Sequence, residues 1–115
     1  MVKRSKDMTL EIREHMRDGD GSVEILNLLD KGEYKGRARL IAKITLHKGC
    51  SIGKHIHENE EEIFYFIKGS GIFYDNGEEK PVAAGDVAIT GNGQAHSIKN
   101  LSDEDLEMVA VIMLH

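Results

Sequence analysis

Turn residues recur every few positions along this chain, and no segment between them is long enough for a substantial helix. Asp18-Gly19-Asp20-Gly21-Ser22, Asp30-Lys31-Gly32, Tyr34-Lys35-Gly36, Lys48-Gly49, Lys68-Gly69-Ser70-Gly71, Asp75-Asn76-Gly77, Ala84-Gly85-Asp86 and Gly91-Asn92-Gly93 all carry turn chemistry. The runs between them are rich in β-branched, aliphatic and aromatic residues: Val23 to Leu29, Arg37 to His47, Ile63 to Ile67, Ile72 to Tyr74, Val87 to Ile89, Ala95 to Lys99 and Leu106 to Leu114. In Arg37 to His47, Leu40, Ala42, Ile44 and Leu46 alternate with Arg39, Ile41, Lys43 and Thr45, the period of a strand with one face buried. Asn76-Gly77 favours a tight hairpin, and the only proline, Pro81, falls in the returning run, where an edge strand tolerates it. Many short strands of this kind predict an all-β fold, an antiparallel sandwich or barrel.

The 115 residues suffice for one domain with a modest core. Residues 1–21 are polar with little periodicity and read as an N-terminal arm, leaving 22–115 as the barrel domain. Met8 to Met16 suits either a helical turn or a strand-like arm. Asp18-Gly19-Asp20-Gly21-Ser22 resembles the start of a calcium loop, but the twelfth position holds Leu29 rather than the closing glutamate, so turn chemistry is the better reading. The formal net charge of -5 and dispersed basic residues argue against nucleic acid as the main partner. No apolar run approaches a membrane span, and the basic start lacks the apolar core of a signal peptide. The single cysteine, Cys50, excludes an internal disulfide and reads as a packed bystander, so the cytoplasm is the expected compartment.

The chemistry concentrates between Gly49 and Asn100. His55 and His57 are two residues apart, so on a strand both imidazoles project from one face. Glu62 opens the next strand, and His96 sits on a later one. Three imidazoles and a carboxylate suit manganese, iron, nickel, zinc or copper better than calcium or magnesium. Within Glu58-Asn59-Glu60-Glu61-Glu62, only one carboxylate needs to be a ligand. Glu61 is the alternative by one register step, but the spacing to Gly69 favours Glu62. His15, His47 and His115 read as surface or packing residues.

The segment with Gly49, His55, His57, Glu62 and Gly69, followed by Gly85, Gly91, Gly93, His96 and Asn100, resembles the two motifs of the cupin superfamily. The one departure is Gly91, where family members usually carry proline, which predicts a looser turn before the last histidine. The whole chain is similar to small microbial single-domain cupins often compared with the oxalate decarboxylase branch. The resemblance implies a double-stranded β-helix, or jelly-roll, barrel and a metal held by His55, His57, Glu62 and His96. Manganese or iron is the implied cofactor, with nickel or zinc as substitutes after purification. It also implies a homodimer, with N-terminal or edge strands added to the partner sheet, which gives the arm a role.

The expected ligand is a small organic acid or other oxygen-rich metabolite, and the leading reading is a metal-dependent enzyme of decarboxylase, dioxygenase or isomerase type. The alternative is a non-catalytic module holding a metal or metabolite. An enzyme needs a further group near the metal. The candidates are Arg39 or Lys43 as an anion clamp, Gln94 as a hydrogen-bond partner on the face of His96, and Tyr65 or Tyr74 as an acid. Phe64 and Phe66 share the face of Glu62 and are expected to make the cavity wall apolar.

Overall fold

The computed structural model describes residues 1–115 as ten strands and two single 3-10 turns, Ser5–Asp7 and Met16–Asp18. The strands are β1 (Thr9–Glu14), β2 (Ser22–Leu29), β3 (Ala38–Leu46), β4 (Ser51–Ile56), β5 (Glu60–Lys68), β6 (Ser70–Asp75), β7 (Glu78–Ala83), β8 (Val87–Gly91), β9 (Ala95–Lys99) and β10 (Leu106–Leu114). All pairings are antiparallel, in a six-stranded sheet ordered β1-β2-β3-β10-β5-β8 and a four-stranded sheet ordered β4-β9-β6-β7.

Alternation decides what enters the space between the sheets. Ala42, Ile44 and Leu46 on β3, Phe64 and Phe66 on β5, and Leu106, Met108, Ala110 and Ile112 on β10 are buried, while their odd-step neighbours face outward. Val23, Ile25, Ile52, Phe73 and Ile98 complete the core. Each large apolar side chain taken fully out of water contributes about 1.5–3 kcal/mol.

The punctuation falls where the sequence puts it. Gly49, Gly69, Gly85 and Gly93 all have positive φ. At Gly69, with φ of +79°, a Cβ would also sit 2.3 Å from the Asp105 carbonyl oxygen, so no other residue fits without moving that backbone. Asn76 and Gly77 are both left-handed, as the β6–β7 hairpin requires, and Pro81 lies on β7, the edge of its sheet. Gly91 behaves differently from the expectation of a loose turn. It ends β8 opposite Glu61, buried, and a Cβ there would come within 2.8 Å of the Glu61 Cβ, so its small size serves close strand packing.

The arm resolves into a strand. β1 pairs with β2 of the same chain from Thr9↔Asn27 to Glu14↔Ser22 and forms the sheet edge, with Lys3 tied to Asp30 and Glu33 at 3.0 and 2.7 Å. Two irregularities matter for the site. On β3, Ile112 faces Leu40 while Met113 faces Ala38, so Arg39 is an extra residue in the ladder with β10. On β4 the pairing shifts between Ile52↔Ile98 and His55↔His96, an extra residue that brings His55 directly opposite His96.

Candidate metal centre

His55 and His96 face each other across β4 and β9, and His57 follows just past the end of β4. The backbone around His57 continues the pairing: its N–H donates to the Gln94 carbonyl at 3.3 Å and its carbonyl accepts from Gly93 N–H at 2.9 Å. Glu62 arrives from β5 of the other sheet. His57, Glu62 and His96 are buried and His55 is half-buried. Phe64 lies flat against the His96 ring, 5.3 Å between centroids and 11° between planes, and Phe73 meets it edge-on at 5.6 Å.

The four ligand-type atoms converge. Nε2 of His55 is 3.1 Å from Nε2 of His57 and 3.0 Å from Nε2 of His96, and the last two are 3.0 Å apart. Oε1 of Glu62 lies 3.0 Å from His57 Nε2 and 3.2 Å from His96 Nε2. A ring nitrogen either carries a proton and donates or lacks one and accepts. With three nitrogens in mutual contact, at least one pair must be alike, so protons alone cannot satisfy this arrangement. Nitrogens ~2.1 Å from a common ion and at right angles to one another stand ~3.0 Å apart, the spacing found here. The residues fit a divalent metal.

Two of the three outward nitrogens support that fit, while Nδ1 of His96 is buried without a partner. His55 Nδ1 lies 2.7 Å from the Gly53 carbonyl, which can only accept, so Nδ1 holds the proton and Nε2 turns its lone pair inward. His57 Nδ1 lies 2.7 Å from Glu60 Oε2, and Arg39 grips that carboxylate with two bonds, Nε to Oε1 at 2.8 Å and Nη2 to Oε2 at 2.7 Å. The Arg39 guanidinium, helped by His57, holds Glu60 down at about 2. Burial, reinforced by the His96 and His57 rings, pulls His55 down to about 4 and keeps it neutral near pH 7. Burial pushes Glu62 up, but hydrogen bonds from His57 and His96 outweigh it and leave the carboxyl below its usual value. The Glu62 bond also raises His57, against its burial and with help from Glu60.

Above the cluster is a cavity of about 80 Å³ with an apolar wall that includes Met16, Ile25, Leu40 and Ile52 and with Arg13, Arg17 and Arg39 around it. This corrects several expectations from sequence. Phe64 and Phe66 do share the face of Glu62, but Phe64 backs His96 and Phe66 lies in the core, so neither makes the wall. Lys43 pairs with Glu107 at 3.2 Å, away from the cavity. Gln94 is exposed in the turn before β9, so its two-residue spacing from His96 does not place it on the same face. Tyr65 is exposed, and the Tyr74 ring packs under the Lys54 ammonium at 4.0 Å. Neither tyrosine reaches the site. Arg39 does reach it, because its place in the bulge takes it out of the outward series of Ile41 and Lys43. Glu61 is opposite Gly91 with His115 3.6 Å from its carboxylate, so Glu62 is the residue at the cluster. Glu60 was missed in sequence, although it shares a strand face with Glu62 by the same two-residue spacing that joins His55 to His57.

Comparison with known proteins agrees with this geometry. A family model described as Cupin domain matches residues 42–112. The chain is 47% identical over 114 residues to an oxalate-binding protein of Thermotoga maritima, covering 99% of this chain and 94% of that one. An uncharacterized protein of Methanocaldococcus jannaschii is 30% identical over 90 residues, 78% of this chain and 71% of that one. The crystal structure of a Thermotoga maritima protein described as a predicted oxalate decarboxylase superposes with a TM-score of 0.94 at 47% identity, covering both chains fully.

Proposed function

The chain belongs to the cupin family, and from that premise we propose that it is a metal-dependent enzyme acting on a small organic acid, with oxalate as the first candidate. The observation that carries this reading is the convergence of three Nε2 atoms and a Glu62 oxygen at 3.0–3.2 Å beneath a cavity bordered by arginines. His55, His57, His96 and Glu62 are the proposed ligands, and manganese or iron the proposed metal. A divalent ion held there polarises an oxygen of a bound acid or offers a position for dioxygen. Three neutral imidazoles and one carboxylate leave a net positive charge on such a centre, which attracts an anion. Glu60 fixes the tautomer of His57, the Gly53 carbonyl does so for His55, and the apolar wall limits water. The similarity to a protein named as oxalate-binding supports the choice of acid.

A non-catalytic binding module is the second reading. The cavity lining favours it: apart from Glu62 and two of the histidines, the lining residues that carry charge are arginines, and no tyrosine or spare carboxylic acid stands ready to exchange a proton. Protein loaded with manganese or iron, analysed for bound metal and then titrated with oxalate, separates the two. Stoichiometric metal with product formation establishes the enzyme, and tight reversible binding without product establishes the module. Failure to hold metal in either form refutes the enzyme, and failure to bind oxalate as well refutes the module.

A homodimer in the cytoplasm completes the proposal. Tyr65, Ile67, Val87 and Ile89 are exposed on the neighbouring strands β5 and β8 at one edge of the six-stranded sheet, and Leu10 and Ile12 on β1 at the other, apolar surface that a second copy would cover. A monomeric mass by light scattering would refute the dimer. The cytoplasmic location rests on the lone, unpaired Cys50.

A further inference from the structure

The turn between β1 and β2 is held in a conformation that ordinary side chains avoid. His15, Arg17 and Asp18 have φ of 49°, 55° and 63°, the left-handed region, and none is glycine. The surroundings enforce it. His15 N–H donates to the Gly21 carbonyl at 2.8 Å, Ser51 N–H to the Asp20 carbonyl at 2.9 Å, and Asp20 N–H to Ser51 Oγ at 2.8 Å. The turn lies so close to β4 that a Cβ at Gly53 would sit 1.9 Å from the Arg17 carbonyl oxygen, and one at Gly19 would sit 2.3 Å from the Ser51 carbonyl oxygen. Two glycines therefore make room for the contact. Strain maintained in this way is often tied to the placement of a functional group.

Arg17 is the group so placed. It lines the cavity above the cluster, and it also lines the open hollow beside it with Arg39, His57, Glu58 and Glu60. The other two arginines at the cavity have carboxylate partners: Arg39 is committed to Glu60 by two hydrogen bonds, and Arg13 meets Glu11 at 2.9 Å. Arg17 forms no ion pair within the chain, alone among the three. Building on the organic-acid reading of the site, we propose that Arg17 is the specificity-determining residue that receives the carboxylate of the acid farther from the metal. A dicarboxylate such as oxalate then meets the metal centre at one end and a guanidinium at the other. A monocarboxylate of similar size meets only the first. The site thereby selects dianions.

The test uses full-length protein loaded with manganese, its metal content verified, and calorimetric titration with oxalate and with acetate. Arg17→Gln weakens oxalate about tenfold, the usual scale for a lost charge-assisted hydrogen bond, and leaves acetate unchanged. Arg17→Gly removes the same group and relieves the left-handed strain, so its unfolding midpoint equals or exceeds that of the unsubstituted protein while oxalate is weakened as in Arg17→Gln. A merely structural arginine would not show that combination. Oxalate binding undiminished in both variants, or an equal loss for both acids, overturns the assignment while leaving the organic-acid reading in place. If the unsubstituted protein, fully metallated, binds neither acid, that reading falls and this one with it.

Discussion

Replacing Glu60 with glutamine tests whether the carboxylate behind His57 supports metal binding without touching the metal. The Glu60 carboxylate accepts from His57 Nδ1 at 2.7 Å and from Arg39 at 2.8 and 2.7 Å, so it is ionised and fully engaged. Glutamine preserves the shape and offers one oxygen, but its amide nitrogen cannot accept from Arg39 or His57. His57 loses the negative charge that makes its Nε2 a better donor to a cation, and the Arg39 charge is left uncompensated near the cluster. Losses of this kind cost roughly 10–100-fold in metal affinity, or about 1.4–2.7 kcal/mol. Glu60→Gln is expected to raise the Kd for manganese or zinc by that factor in a chelator competition at fixed ionic strength. The metal-free protein should lose only a modest part of its stability, from the broken pairing with Arg39 at the rim, since the core is untouched. A variant that binds metal as tightly as the unsubstituted protein, while His57→Ala loses it, would refute the supporting role of Glu60. Equal losses of metal-free stability and affinity would mean that Glu60 merely holds the fold.

Glu62→Gln should sharply lower metal occupancy and Glu61→Gln should scarcely alter it, as elemental analysis would show; the reverse order would reassign the ligand. His47 sits between Glu24 and Asp105, and Asp105, then Glu24, raise its pKa in the folded chain. Its stabilisation is therefore complete below the unfolded value of ~6.5 and fades as pH rises through the folded value. The unfolding midpoint of His47→Gln should trail the unsubstituted protein more at about pH 5.5 than at about pH 9, and a constant gap would contradict this. Thr90, opposite Glu62 on β8, buries an Oγ1 with no hydrogen-bond partner in the protein. Thr90→Val should stabilise by about 1 kcal/mol, roughly 4 °C in midpoint, and a loss of that size would reveal a bound partner for the hydroxyl.

The residues differ in how plainly the sequence announces them, for physical reasons. Strand identity was legible because the alternation of β3, β5 and β10 depends only on strand periodicity, and the four cluster residues were legible because the His55–His57 spacing and the resemblance to the two cupin motifs pointed to them. Arg39 was a candidate alongside Lys43, but which of the two reaches the site was not legible, because a single extra residue in the ladder reverses inside and outside and nothing local in Ala38-Arg39-Leu40 signals a bulge. Gln94 was misplaced because it directly follows the Asn92-Gly93 turn, where its side chain is left exposed, whereas His57, also just outside its strand, is turned inward to the cluster. Glu60 was readable by parity with Glu62 but hidden among neighbouring carboxylates. β1 escaped a firm reading because both Leu10 and Ile12 face solvent, so backbone pairing with β2, rather than burial, defines that strand.

The cluster draws its three imidazoles from the β4–β9 side and its carboxylate from β5, in the opposite sheet. An ion bound there would act as a removable stitch between two layers otherwise joined by side-chain packing, by the chain crossing over and by a few hydrogen bonds such as that from His57 to Glu60. The far end of the barrel, closed by Leu46, Phe66, Leu106 and the buried Asn100 bonded to the Leu46 and Glu104 carbonyls, has no need of it. Hydrogen exchange would therefore be polarised. Withdrawing the ion would loosen amides around His57, Gly93 and Gln94 while those near Asn100 keep their protection, so the protein carries a soft pole and a hard pole with the binding chemistry at the soft one.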